Sequence, residues 1–403
     1  MQRCKQCNLP ETHETISFNT KGVCNICENF HNKRTKIDWS LRKKELDDLI
    51  QKHRDKSDYD CIIPYSGGKD STWTVYYLIK EYNIKPLIVR FDHGFFRPNL
   101  ENNLKKMVRK LGVDVLTFTP NWKVVQKLML TSFLEKGDFC WHCHTGIFAY
   151  PMQIAIEKKI PLIFWGEGAG EYEDYFAYHH RLEKDEKAFN REANLGISSE
   201  DMLIRLNGQV DERDLKPFTY PKLEKLKAIN YKSVCLGTYI IWDVKKNVEV
   251  IKKELDWKGD EVESVPPGYN YEKIECYMQG VRDYIKYIKR GYSRASHLAS
   301  LDIRNKRISL NKAKELISLY EGKRPASLDI FLNLIGLTEE EFMEVAISHE
   351  ISPWKFENNS IDNSKKTKDF DKWSKDGPLD RKISKPIIDN WKSNCTNCKK
   401  IYE

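Results

Sequence analysis

Six residues, Ser66-Gly67-Gly68-Lys69-Asp70-Ser71, lie directly between a short apolar run and a segment of helical character. Two adjacent glycines let a backbone turn sharply and approach a ligand with no Cβ in the way, and the amides that open the following helix attract an anion. Ser66 and Ser71 add hydroxyl donors, and Lys69 adds positive charge. The combination reads as a cradle for pyrophosphate, with an ordinary serine-capped glycine turn as the plain alternative. It is not the GxxxxGK[ST] loop, because the spacing is too short and the lysine precedes an aspartate.

Cysteine spacing is the second chemical signal. Cys4, Cys7, Cys24 and Cys27 form C-x2-C-x16-C-x2-C, a spacing that sets four thiolates around a tetrahedral ion, with zinc the expected ion and a structural role the expected one. Cys140 and Cys143 in CWHCH form another pair, and Cys395 with Cys398 a third. These four are expected to make a second metal site, with the tail folding back, or else to stay unliganded. Cys61 and Cys276 read as core or surface thiols.

The elements that must position these groups follow from periodicity. CIIPYS (61–66), PLIVRFD (86–92), VDVLTFT (113–119) and PLIFWG (161–166) read as buried strands, with helical stretches near 71–82, 99–111, 121–135 and 145–158. That alternation predicts an α/β fold, a parallel sheet with helices on both faces. A last strand is expected at about 233–241, followed by a mainly helical region with helices near 246–255, 272–290, 311–321 and 338–347. Residues 358–394 are polar and lysine-rich and read as a flexible tail. In open α/β sheets ligands bind beyond the carboxyl ends of strands. Asp92 and Glu167 fall there, the first to touch a nucleotide's ribose or base, the second to hold Mg²⁺ near pyrophosphate. Each is equally well a solvated carboxylate at a loop start.

Composition sets outer limits. The 403 residues carry a formal net charge of +8, and 40% are hydrophobic, as in a globular chain of two or three domains. The lysines are spread along the chain, without the arginine–aromatic pattern that stacks single-stranded bases. No apolar stretch is long enough for a transmembrane helix. The opening MQRCKQCNLP has charges and cysteines where a secretory signal needs an apolar core, so a cytoplasmic location is expected.

SGGKDS resembles the PP-loop of the N-type ATP pyrophosphatases, which cleave ATP between the α and β phosphates while a substrate oxygen attacks the α phosphorus. The cysteine module, this loop, CWHCHTGIFAYP (140–151), IPLIFWGEGAGEY (160–172), GTYIIWD (237–243) and the 287–325 segment together resemble the N-acetyl sugar amidotransferases. These act in lipopolysaccharide O-antigen and pseudaminic acid synthesis. The resemblance implies that an N-acetyl carbonyl is adenylated and that ammonia displaces AMP, leaving an acetamidino group. It implies ATP, Mg²⁺ and Zn²⁺ as cofactors, and a separate glutaminase subunit, like that of histidine biosynthesis, as partner. Residue 2 is glutamine, so no N-terminal cysteine nucleophile is expected in this chain. Lys69, Asp70 and Glu167 are then the expected catalytic residues, Ser66 to Ser71 and Asp92 the expected nucleotide contacts, and Glu171, Tyr172, Arg294 and His297 the expected sugar contacts.

The expected organisation is a zinc-ribbon-like module (1–35), a linker helix (36–56), a PP-loop domain (57–245), a helical domain (246–357) and a polar tail with CxxC (358–403). Two other readings stay open. A tRNA sulfurtransferase of the same class would use the pair at Cys140 and Cys143 to help hold an iron–sulfur cluster, with Cys235 to complete it. A zinc-ribbon nucleic-acid binder would need no catalysis.

Overall fold

The computed structural model describes residues 1–166, 194–357 and 379–394. Two helices come first, α1 (Asn25–Lys36) and α2 (Trp39–His53). The alternating part follows as β1 (Cys61–Pro64), α3 (Lys69–Tyr82), β2 (Pro86–Phe91), α4 (Pro98–Leu111), β3 (Asp114–Phe118), α5 (Trp122–Lys136), α6 (Trp141–Glu157) and β4 (Leu162–Trp165). Helix α7 (Ser199–Leu206) and three shorter helical segments, Glu212–Leu215, Lys216–Phe218 and Leu223–Ala228, then lead to β5 (Lys232–Cys235).

All five strands are parallel and lie in the order β3-β2-β1-β4-β5. Period-two alternation splits their side chains between two cores. Cys61, Ile63, Ile88, Phe164 and Val234 face the apolar sides of α2, α3 and α4. Ile62, Leu87, Val89, Ile163 and Trp165 face Met152, Ile154 and Ala155 of α6. Helices therefore cover both faces, as the α/β reading expected. The chain leaves β1 toward β2 on one side and reaches β4 on the other, so the gap beyond the carboxyl ends of β1 and β4 is the switch point where such sheets bind ligands.

After β5 the region is mainly helical: α8 (Val244–Leu255), α9 (Gln279–Arg290), α10 (Arg294–Arg304), α11 (Leu310–Tyr320), α12 (Ser327–Ile335) and α13 (Glu339–Ser348). Three sequence expectations need correction. The last strand ends at Cys235, and Leu236–Thr238 turns as a 3-10 helix instead of continuing to 241. The helix expected from 272 starts only at Gln279, because Lys273 takes a left-handed φ of 50° and breaks the helical path. The stretch expected to be a flexible tail contains α14 (Arg381–Asn394). Leu379, Ile387, Ile388 and Trp391 bury against the α5, α12 and α13 core. Ile387, Ile388 and Trp391 on one helix face, with Leu379 just ahead of the helix, suffice to dock an otherwise polar segment.

Candidate active site

The SGGKDS loop bridges the end of β1 and the first turn of α3. Gly67 has φ 87°, a left-handed conformation, and a Cβ there would meet Leu100 Cδ2 at 2.6 Å, so both backbone and space require glycine. At Gly68, the residue that caps α3, a Cβ would lie 1.8 Å from Glu275 Oε1. Across the switch point, a Cβ on Gly166 would lie 2.8 Å from Ser71 Cα. The end of β4 thus runs against the first turn of α3, and the two backbones frame one mouth.

The hydroxyls tie the loop to itself. Gly68 N–H donates to Ser66 Oγ at 3.3 Å, Ser66 N–H donates to Ser71 Oγ at 3.3 Å, and Ser71 Oγ donates to Gly68 O at 3.3 Å. The amides that open a helix have no intrahelical acceptors, which suits an anion at this spot. Lys69 is 2% exposed, with Nζ 2.8 Å from Asp70 Oδ2 and 3.1 Å from Glu272 Oε2. Glu272 is fully buried; burial alone would raise its carboxyl, but Lys69 and then Arg294 outweigh it and hold the group down to about 2.

A cavity of about 230 Å³ opens from this loop. Its sheet wall comes from Tyr65, Ser66, Phe91, His93, Trp165 and Gly166, and α3 adds Asp70 and Ser71. Helix α6 contributes Cys140, His142 and Cys143, while the region after β5 contributes Lys273, Glu275, Cys276 and Arg282. Burial, then Arg90, pushes His93 down to about 3; burial, then His93, does the same to His142. Both rings are therefore neutral near pH 7. Arg282 sits 3.6 Å from Asp138, which also accepts from Cys140 N–H at 2.8 Å. Glu275 Oε2 is buried with no hydrogen-bond partner among the described residues.

Several of these groups escaped the sequence reading. Cys276 is no isolated thiol: it shares the cavity with Cys140 and Cys143, and burial pushes it up to about 12. Cys235, the residue weighed as a partner for that pair, is buried on β5 and is not part of the lining. Glu275 and Lys273 were hidden by assigning their segment to a helix. The available signal was the run YNYEKIEC, whose alternating apolar and charged residues do not fit one helical face.

Other expected residues are placed as follows. Asp92 follows the last residue of β2, but its carboxylate accepts from Gly94 N–H at 2.8 Å and from Thr119 Oγ1 at 3.2 Å, and its neighbours Phe91 and His93 line the cavity instead. Arg294 does not line the cavity. It lies 3.5 Å from Glu272 and 3.3 Å from Asp283. The His297 ring lies tilted against His13 and Tyr292, with ring centroids 5.5 Å and 5.3 Å away, beneath the cysteine module. Glu167, Glu171, Tyr172, Cys395 and Cys398 lie outside the described residues.

Cys4, Cys7, Cys24 and Cys27 do converge. All four are buried, and their sulfurs lie within 4.8 Å of one another, Cys7 and Cys24 at 3.7 Å. Cys7 N–H and Cys24 N–H both donate to Cys4 Sγ, at 3.5 Å and 3.3 Å. Four buried sulfurs with amides aimed at one of them fit a metal ion or an iron–sulfur centre, since a cation lets all four be thiolates together. The module stands on the turn between α9 and α10. Thr12 Oγ1 donates to Arg290 O at 2.6 Å, Arg3 donates to Gly291 O at 3.3 Å, and Glu14 pairs with Lys286 and Arg290 at 3.2 Å and 3.3 Å.

Among the described residues no helix is long and apolar enough to cross a membrane. Residues 268–370 match the family model of the LPS biosynthesis protein WbpG-like C-terminal domain. This match supports the family suspected from the sequence. A GMP synthase [glutamine-hydrolyzing] of Pyrobaculum aerophilum is 28% identical over 121 residues, 30% of this chain and 23% of that protein. An uncharacterized protein of Methanocaldococcus jannaschii is 23% identical over 116 residues, 28% of this chain and 41% of that protein. The chain thus spans less than half the length of these curated relatives. Among solved structures, the NMN synthetase from Francisella tularensis overlays with a TM-score of 0.35 at 12% identity, covering 71% of this chain and 93% of that one. The U34-tRNA thiolase NcsA from Methanococcus maripaludis, with its [4Fe-4S] cluster, gives 0.29 at 13% identity, covering 89% and 99%.

Proposed function

We propose that this chain is an ATP-dependent amidotransferase acting on an N-acetyl sugar of a bacterial surface polysaccharide. One observation carries the reading: the SGGKDS cradle and the WbpG-like segment meet in a single cavity, with Ser66, Asp70 and Ser71 on one side and Lys273, Glu275 and Arg282 on the other. An amide carbonyl is a poor electrophile. Attack of its oxygen on the α phosphorus of ATP forms an O–P bond and expels pyrophosphate, turning that oxygen into a leaving group. Ammonia then adds to the carbon, a proton is lost, and AMP departs, leaving an acetamidino group.

Lys69, the amides that open α3 and the hydroxyls of Ser66 and Ser71 are suited to hold the β and γ phosphates. Mg²⁺, when bound, neutralises the charge of the departing pyrophosphate. Asp70 and Glu275 are the carboxylates of the cavity that suit it, with Glu167 a third candidate from the sequence. Zinc fits the buried Cys4–Cys7–Cys24–Cys27 set as a structural ion. Ammonia is drawn from a glutaminase subunit, a reading supported by the partial likeness to a glutamine-hydrolysing GMP synthase.

The test is to incubate the chain with ATP, Mg²⁺, ammonium and a panel of N-acetyl sugars. The expected product is lighter by about one mass unit, as NH replaces O, with stoichiometric AMP and pyrophosphate. Pyrophosphate without a lighter sugar would reject the amidotransferase step; no pyrophosphate under any condition would reject the nucleotide chemistry.

One observation favours a second reading, a tRNA sulfurtransferase: Cys140, Cys143 and Cys276 face the same cavity, as thiolates holding an iron–sulfur cluster would. Such a protein, purified without oxygen, would absorb in the visible and bind tRNA with a steep salt dependence.

A further inference from the structure

The phosphate loop is gripped by a segment from outside the sheet. Trp257 Nε1 donates to Gly67 O at 3.1 Å, Glu272 reaches Lys69 at 3.1 Å, and the Glu275 carboxylate rests against Gly68. Three consecutive loop residues are therefore each met by the same stretch, Trp257 to Glu275. At its centre is a carboxylate whose position needs explaining. Glu272 is 0% exposed, and a bare negative charge beside an anion cradle would both lose its hydration and repel the ligand.

We propose that Glu272 is a positioning residue for nucleotide binding, acting only through Lys69; this rests on the nucleotide reading above. Its charge is bracketed by two cations, Lys69 at 3.1 Å and Arg294 at 3.5 Å, and Arg294 is in turn held by Asp283 at 3.3 Å. The chain of charges Lys69–Glu272–Arg294–Asp283 sets two cations against two carboxylates, so Glu272 is neutralised by its neighbours while it removes the freedom of a flexible ammonium stem before the phosphates arrive. Asp70 contacts the same ammonium at 2.8 Å from within α3, but it is a neighbour on the loop itself and moves with it. Glu272 is the anchor that ties Lys69 to the helical region. Arg294 thereby gains a role different from sugar binding: it neutralises Glu272 and fixes where that carboxylate can lie.

The proposal is tested by a double-mutant cycle on the full-length chain, measuring Mg²⁺–ATP affinity by calorimetry for wild type, Glu272→Gln, Lys69→Met and the double variant. Glu272→Gln is expected to weaken ATP binding roughly 5- to 100-fold, and to add nothing in the Lys69→Met background. In steady-state pyrophosphate release its KM for ATP should rise by more than its kcat falls, and Glu272→Asp should recover part of the loss. Wild-type affinity in Glu272→Gln, or an equal loss with and without Lys69, overturns the proposal. Should Glu272→Gln fail to melt cooperatively, the cycle is run with Glu272→Asp, whose smaller loss must likewise vanish without Lys69. A wild-type chain that gives no heat with ATP would sink the nucleotide reading, and this proposal with it.

Discussion

At the scale of single residues, two glycines define the loop for different reasons. Gly67 needs a left-handed φ of 87° and the space that Leu100 would otherwise contest, whereas Gly68 needs only space, against Glu275. Gly67→Ala is therefore expected to destabilise the chain by about 1–3 kcal/mol, with a visibly lower melting temperature, because it adds backbone strain to a clash. Asp70→Ala is expected to melt close to wild type, since Asp70 is partly exposed at a helix start, while pyrophosphate release falls at least about 100-fold. A variant of Asp70 that unfolds, or one that turns over ATP normally, would contradict its placement beside the phosphates. The place of the loop between a strand and a helix was legible from six letters and their flanks. Its partners Glu272 and Glu275 were not, because a contact across roughly two hundred residues of chain leaves no local pattern.

At the scale of elements, the most instructive case is α14. Its sequence is rich in lysine, and a window average hides Ile387, Ile388 and Trp391, which share one face, and Leu379 just before the helix. Leu379, Ile387, Ile388 and Trp391 bury against a core that includes Phe133, Phe331 and Phe342. Trp391→Ala is expected to cost about 3–5 kcal/mol if the helix stays docked, and less if it detaches, because a detached helix leaves only the exposed core face as penalty. Limited proteolysis distinguishes the two outcomes: cleavage between 379 and 394 should become rapid in the variant and stay slow in the wild type. The cysteine module offers a second element-level test. Cys24→Ser should lower both metal content and melting temperature, since loss of one ligand opens a buried four-sulfur set. Unchanged metal content would remove the case for a bound ion.

At the scale of the whole molecule, buried titratable groups set the response to acid. His93 and His349 are pushed by burial to about 3 and about 4, below their ordinary 6.5, so the unfolded chain takes up their protons first as pH falls. Their contribution to stability is complete above about pH 6.5 and is lost progressively below it. Glu272, held at about 2 against an ordinary 4.5, loses its contribution as pH falls from 4.5 toward 2. Urea midpoints should therefore decline as pH falls from about 6.5, and decline more steeply below 4.5. A midpoint that holds constant down to pH 5 would show that these histidines are not buried in solution.

Local chemistry by itself determined the parallel α/β core, the place of the SGGKDS loop between a strand and a helix, and the four-cysteine set of the first module. Hydrophobic periodicity, turn chemistry and ligand spacing are all properties of a few neighbouring residues, and they survive whatever the chain does at a distance. Only the tertiary structure decided what faces the loop: that Glu272 and Glu275 approach it, that Cys276 joins Cys140 and Cys143, and that Arg294 spends its charge on Glu272 and Asp283. Those placements depend on how the region after β5 packs across the sheet's switch point, and packing is a property of surfaces brought together by the fold, which no stretch of sequence carries alone.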